Sequence, residues 1–240
     1  MGSDHDVYQD SSFAIPSIYL NDWPDRYIHT NFDTAANIDP TKLKRAAFIG
    51  AASGYFLAKT SGDDSKKITD AFSLGSTVRG ALLQNRMANV SLEEGCTMAR
   101  AAGRYYDAIE PSFQSFAAVA ITRNDRYNKT PCPPLPGQTI SGDVIFRRKP
   151  TPKGQLAVFG YDYFADHAKA AGIAEPKLLS YEGLWGSGEE YAYEVLNFAD
   201  GKRTAREIRD AVSAEYGPVP LDLVVEYLRA LEKIGLVESK

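Results

Sequence analysis

The sequence contains only three histidines, His5, His29 and His167, so chemistry that needs an imidazole has few places to sit. His29 has the most suggestive surroundings. The stretch Asp25-Arg26-Tyr27-Ile28-His29-Thr30-Asn31-Phe32-Asp33-Thr34 follows a predicted buried strand and precedes a capped helix, the strand-end position where α/β folds place their sites. A lone histidine is more often structural than a ligand, but a neutral imidazole at this position can take a metal, and Asp33 is spaced to accept a hydrogen bond from the other ring nitrogen, which would fix the tautomer for it. Two Glu-Glu pairs, Glu93-Glu94 and Glu189-Glu190, are a second candidate for acid–base work. Both stand at predicted helix starts, where capping and the helix dipole explain them. His167, with Asp166 beside it, reads as a helix-surface residue. Arg147-Arg148-Lys149 reads as a solvated basic hairpin tip. Cys96 and Cys132 are too few for a disulfide framework or a thiolate zinc site, which leaves one bridge or two thiols.

Composition narrows the function classes. With 27 Lys+Arg against 31 Asp+Glu the formal net charge is −4 and the pI about 5.5. No overall positive field is available for a phosphate backbone. The most apolar run, Ala46 to Ala58, is broken by Gly50, Ser53 and Gly54 and falls short of the roughly 20 residues of a membrane span. The start, Met1-Gly2-Ser3-Asp4-His5-Asp6, is acidic where a signal peptide is basic and then apolar, and the compartment stays open.

Three zones must position these residues. In residues 1–60, Ala14-Ile15-Pro16-Ser17-Ile18-Tyr19-Leu20 has the β-branched and aromatic content of a short buried strand. Asp39 before Pro40 predicts an N-cap and a helix from Pro40 to about Lys59. Its small face of Ala47, Gly50, Ala51 and Gly54 suits close packing on a neighbour. Residues 61–185 are expected to be a mainly helical extension. Helices over Ile68–Met87 and Leu92–Ile109 follow from apolar spacing, with a capping-box signal at Ser91/Glu94. The proline-rich loop Thr130–Gly137 follows, then short strands at Gly142–Phe146 and Leu156–Tyr161. Residues 186–240 predict a helix at Tyr191–Phe198, a turn at Asp200-Gly201 and a helix opened by the capping box Thr204-Ala205-Arg206-Glu207 and stopped by Gly217-Pro218. A third helix, Leu221–Ile234, carries Leu221, Val224, Val225, Leu228 and Leu231 as one stripe, then Gly235 and a strand at Leu236-Val237-Glu238. Helices followed by a strand are the winged-helix order.

The first zone resembles the C-terminal end of the co-catalytic di-zinc aminopeptidases, a superfamily that includes glutamate carboxypeptidase and glutaminyl cyclase. The likeness rests on Gly2-Ser3-Asp4-His5, the Ile15-Pro16-Ser17-Ile18 strand, His29-Thr30-x-x-Asp33-Thr34 and Ile38-Asp39-Pro40, in the family's order and approximate spacing. It implies that His29 is the last ligand of a two-zinc site. It also implies that Asp33 orients His29 and that Asp4, His5 and Tyr27 shape the pocket for peptide substrates. In relatives the tyrosine often directly precedes the histidine, whereas Ile28 separates them here. The family's other ligands and its general-base glutamate lie upstream of the Gly-Ser-Asp-His segment. One imidazole and one carboxylate do not hold catalytic zinc, which takes three protein ligands and an open position. This chain is therefore expected to be the C-terminal portion of such a peptidase, inactive alone and with no catalytic residue of its own.

The third zone resembles the small winged helices that bind peptides in pyrroloquinoline-quinone biosynthesis, through Asp200-Gly201-Lys202-Arg203-Thr204 and Gly235-Leu236-Val237. Acidic residues outnumber basic ones there, and Asp222, Glu226 and Glu232 on the third helix would repel phosphates, so protein or peptide contact is expected rather than nucleic acid. The fold expected overall is helix-rich: an α/β peptidase remnant, a helical extension and a winged helix. The alternative is a non-catalytic binding protein acting through residues 186–240.

Overall fold

A computed structural model of the chain describes residues 4–21, 24–88, 96, 142–158 and 161–240. The predicted helix at Leu92–Ile109, the loop at Thr130–Gly137 and the Glu93-Glu94 pair lie outside these residues. Cys96 is disulfide-bonded.

Local signals set the elements of the C-terminal half. Ser187 and Glu190 form a reciprocal capping box that starts α5 (Gly188–Asn197), so Glu190 acts as a cap. Thr204 and Glu207 do the same for α6 (Ala205–Tyr216), where the Thr204 hydroxyl accepts the Glu207 N–H at 3.2 Å. Helix α7 spans Leu221–Lys233. Gly217 and Gly235 end α6 and α7 at φ 99° and 82°, left-handed positions that suit glycine. Before them come β1 (Ile145–Arg148), the small hairpin β2 (Ala157–Val158) and β3 (Tyr161–Asp162), and α4 (Tyr163–Ala170). The Asp200 carboxylate accepts the Lys202 and Arg203 N–H groups, forming the predicted turn at the head of β4 (Asp200–Thr204). The chain closes with β5 (Val237–Ser239).

These elements share one core. Strand β1 is central in an antiparallel sheet of order β4-β1-β5, pairing Ile145 with Thr204 on one side and Arg148 with Val237 on the other. The core joins Phe146, Phe164, Leu178, Tyr191, Val195, Ile208, Val224, Leu228 and Leu231. Each large side chain buried in this way contributes about 1.5–3 kcal/mol. Among the described residues the packed module therefore takes in residues upstream of the expected boundary at 186, because its middle strand and α4 belong to the same core.

The N-terminal half has the expected helices but not the expected strand. Helix α2 runs Pro40–Lys59, with the Asp39 carboxylate accepting the Thr41 and Lys42 N–H groups, and α3 runs Ser65–Met87. Residues 14–20 form no strand, and Ile18 is 68% exposed. A strand needs a neighbouring edge to satisfy its backbone, and the described residues offer none there. Among the described residues the small face of α2 meets nothing within 4 Å at Gly50 or Gly54, so the expected close packing is not seen there. No α2 residue is buried, and Phe48 is 72% exposed. A short helix, α1 (Asp4–Gln9), and the turn after it dock on the C-terminal module.

Candidate functional site

The loop around His29 is shaped by its own polar groups. The Asp25 carboxylate accepts the N–H groups of Tyr27 at 2.8 Å and Ile28 at 3.2 Å. The Thr30 hydroxyl and N–H donate to the Tyr27 carbonyl at 2.6 and 3.0 Å. Between these two turns His29 is held at φ 62°, a left-handed conformation that costs a non-glycine residue about 1–2 kcal/mol. Such positions cluster at functional sites. Tyr27, His29 and Asp33 are all exposed. The Asp33 N–H donates to Thr30 O at 3.2 Å, and among the described residues no hydrogen bond joins Asp33 to His29. The apparatus that orients the His29 backbone is therefore Asp25 and Thr30.

The other predicted site residues sit on α1. Asp4 is exposed in its first turn. The His5 ring stacks on Tyr19 with centroids 4.4 Å apart, and its Nε2 lies 3.0 Å from Asp6 Oδ1. His5 Nδ1 is buried without a hydrogen-bond partner among the described residues. Asp6 is buried, and its backbone carbonyl accepts the Tyr193 hydroxyl of α5 at 2.6 Å. The structure thus brings His5 against the C-terminal module, on a different element from the His29 loop.

The strongest electrostatic feature is one that sequence reasoning placed on the surface. Arg147 and Arg148 belong to strand β1, so the expected solvated tip is not formed. Side chains two apart on a strand share a face. Arg148 therefore follows the fully buried Phe146 inward, while Arg147 points out. The Arg148 side chain is 8% exposed and its partner Asp10 1%, with Nη1 to Oδ1 at 2.9 Å. Arg148 also donates to Ser11 Oγ at 3.0 Å and to the Gly154 carbonyl at 2.6 Å. The readable signal was this period of two from Phe146.

Carboxylates gather beside this pair. Burial, with Asp10 and Asp6 nearby, pushes Glu194 on α5 up to about 7 despite the Asn197 amide that favours its charged form. Burial and the field of Glu194 push Glu215 on α6 up to about 8. Tyr193 is pushed up to about 12, chiefly by burial. His167 lies on α4 with Nδ1 2.8 Å from the Tyr163 carbonyl, its ring stacked on Tyr163, in the surface role expected.

Among the described residues, no three His, Cys, Asp or Glu side chains converge to hold a metal ion. Nor is any described helix long and apolar enough to cross a membrane. Comparison of the chain with protein-family models, curated proteins and solved structures yields no match.

Proposed function

We propose that residues 1–60 are the C-terminal piece of a zinc-dependent aminopeptidase domain and that residues 186–240 are a winged helix contacting protein or peptide. In such an enzyme two zinc ions activate the water that attacks the carbonyl of the substrate's N-terminal residue. His29 supplies one ligand, Asp33 the orientation of its ring, and Asp4, His5 and Tyr27 the pocket wall. The described residues do not make up a complete zinc site, so the remaining ligands and the general base come from elsewhere in a longer polypeptide, and this chain is inactive alone.

The observation that carries this reading is the exposed His29, held left-handed between the Asp25 and Thr30 turns ahead of a helix capped by Asp39-Pro40. The two turns fix the backbone that carries this imidazole, and strained backbone of this kind clusters at functional sites. The broad exposed apolar face of α2, including Leu43, Phe48, Tyr55 and Leu57, agrees with a missing neighbour.

The mass of the native polypeptide tests it, read with an antibody raised against residues 186–240 and compared with the reading frame upstream of Met1. A polypeptide much larger than 26.3 kDa, with His-x-Asp and Glu-Glu segments upstream, is expected. A native mass of 26.3 kDa would overturn it in favour of the binding protein. The complete core of the C-terminal module and its docking of the N-terminal segment favour that second reading.

A further inference from the structure

The turn that follows α1 is read by the C-terminal module atom by atom. Asp10 enters the Arg148 fork, with Nη1 at 2.9 Å from Oδ1 and 3.0 Å from Oδ2. The Ser11 N–H donates to Asn197 Oδ1 at 2.8 Å, and the Ser11 hydroxyl accepts from Arg148. The Ser12 hydroxyl donates to Asp10 Oδ1 at 2.5 Å and accepts the Gly154 N–H at 2.8 Å. The ammonium of Lys153 stands 5.5 Å above the Phe13 ring. Four consecutive residues thus meet a guanidinium, a carboxamide, a backbone N–H and a cation over a ring.

Two further facts separate this contact from ordinary packing. The module's hydrophobic core contains no residue of segment 4–15, so the receiving face is built without it. The segment's own apolar side chains Val7, Tyr8, Phe13 and Ile15 remain exposed, so it is held by charge and hydrogen bonds rather than apolar burial. A buried arginine also requires a carboxylate wherever one can be found, since an unpaired buried charge is strongly destabilising. The partners are 137 and 186 residues apart in sequence, and closing so long a loop confers only a modest advantage on the intrachain occupant.

We propose that the face formed by Arg148, Gly154, Asn197 and Lys153 is a peptide-binding site for acidic Asp-Ser-Ser-aromatic segments, occupied in this chain by its own residues 10–13. Arg148 selects the aspartate, Asn197 reads the following N–H, the Gly154 N–H reads the second serine hydroxyl, and Lys153 favours an aromatic ring. The site takes a helix end and turn, with no strand added to the sheet. It is autoinhibited in cis, so a partner segment must displace the chain's own. It rests on the packed module and stands whether or not His29 binds zinc.

The test vacates the site in the full chain with Asp10→Asn, outside the module core, and titrates a fluorescent peptide spanning residues 4–21 of the natural sequence. Saturable binding to Asp10→Asn is expected, with the wild-type chain competing against itself and binding at least tenfold more weakly. Adding Arg148→Met to the vacated chain is expected to cost about 100-fold, as for a carboxylate left without its buried partner. A peptide carrying Asp10→Asn is expected to lose as much. Should Arg148→Met fail to fold, Asn197→Ala is measured instead and is expected to weaken binding about tenfold through loss of one hydrogen bond on a buried face. Absence of binding by a folded Asp10→Asn chain, or equal binding of the natural and substituted peptides, would overturn the proposal.

Discussion

Raising the pH through neutrality is expected to loosen the C-terminal module and the segment docked on it. Glu194 and Glu215 lie on α5 and α6, with Asp6 and Asp10 facing Glu194 from the docked segment, Tyr193 and Tyr216 alongside, and Arg148 already engaged with Asp10. Both glutamates hold their protons well above the ordinary 4.5: burial disfavours each carboxylate, with Asp10 and Asp6 adding to it at Glu194 and Glu194 adding to it at Glu215. A carboxyl raised on folding stabilises the folded state fully below its unfolded pKa, and that contribution is lost as pH rises through the folded values near 7 and 8. At about 1.4 kcal/mol for each unit, Glu194 alone corresponds to a loss of about 3 kcal/mol. Glu215, raised further, corresponds to about 5 kcal/mol on the same scale, so the pair together loses at least about 5 kcal/mol as the pH rises past both values. For a module of this size that is a fall of roughly 20–30 °C in Tm. Urea denaturation followed by tryptophan fluorescence at pH 5, 7 and 9 reads it, beside Glu194→Gln and Glu215→Gln, each of which is expected to flatten the slope. A wild-type midpoint that holds or rises from pH 6 to 9, or a double variant that keeps the full slope, would refute the reasoning.

Three other outcomes follow from the packing. Leu228→Ala is expected to destabilise the module by about 2–5 kcal/mol, the cost of a buried leucine and its cavity, read as a lower urea midpoint. Thr204→Ala removes the α6 cap and is expected to cost about 1 kcal/mol; a change below about 0.3 kcal/mol would show that the capping box contributes little. The exposed α2 face is expected to drive self-association, so Phe48→Glu with Leu57→Lys should shift sedimentation toward monomer, whereas an unchanged distribution would show that this face is not the contact.

Local punctuation made much of the fold legible. Asp39-Pro40, the Thr204/Glu207 box, Gly217-Pro218 and the Leu221–Leu231 stripe each encode a cap, a stop or a face within a few residues, and α2, α6 and α7 form where those signals place them. What depended on a distant partner was not legible. Ala14–Leu20 has strand composition, yet a strand forms only beside another, and composition does not reveal the absence of an edge. The module's central strand comes from residues 145–148, ahead of the helices whose spacing marked the module. Arg148 was hidden in a run of three basic residues, although counting in twos from Phe146 turns it inward. Its partner Asp10 and the raised carboxyls of Glu194 and Glu215 exist only because α1, α5 and α6 converge, which no local spacing encodes. At the His29 loop the sequence pointed to the histidine but not to Asp25 and Thr30, whose turns set its backbone.

A calorimetric zinc titration of this chain against His29→Ala, run beside leucine-amide hydrolysis, tests most directly whether His29 is one ligand of a site completed elsewhere. A lone imidazole without convergent partners predicts the same weak uptake by both proteins and no turnover. Stoichiometric, His29-dependent binding with turnover would contradict it, because the missing ligands would then lie within these 240 residues.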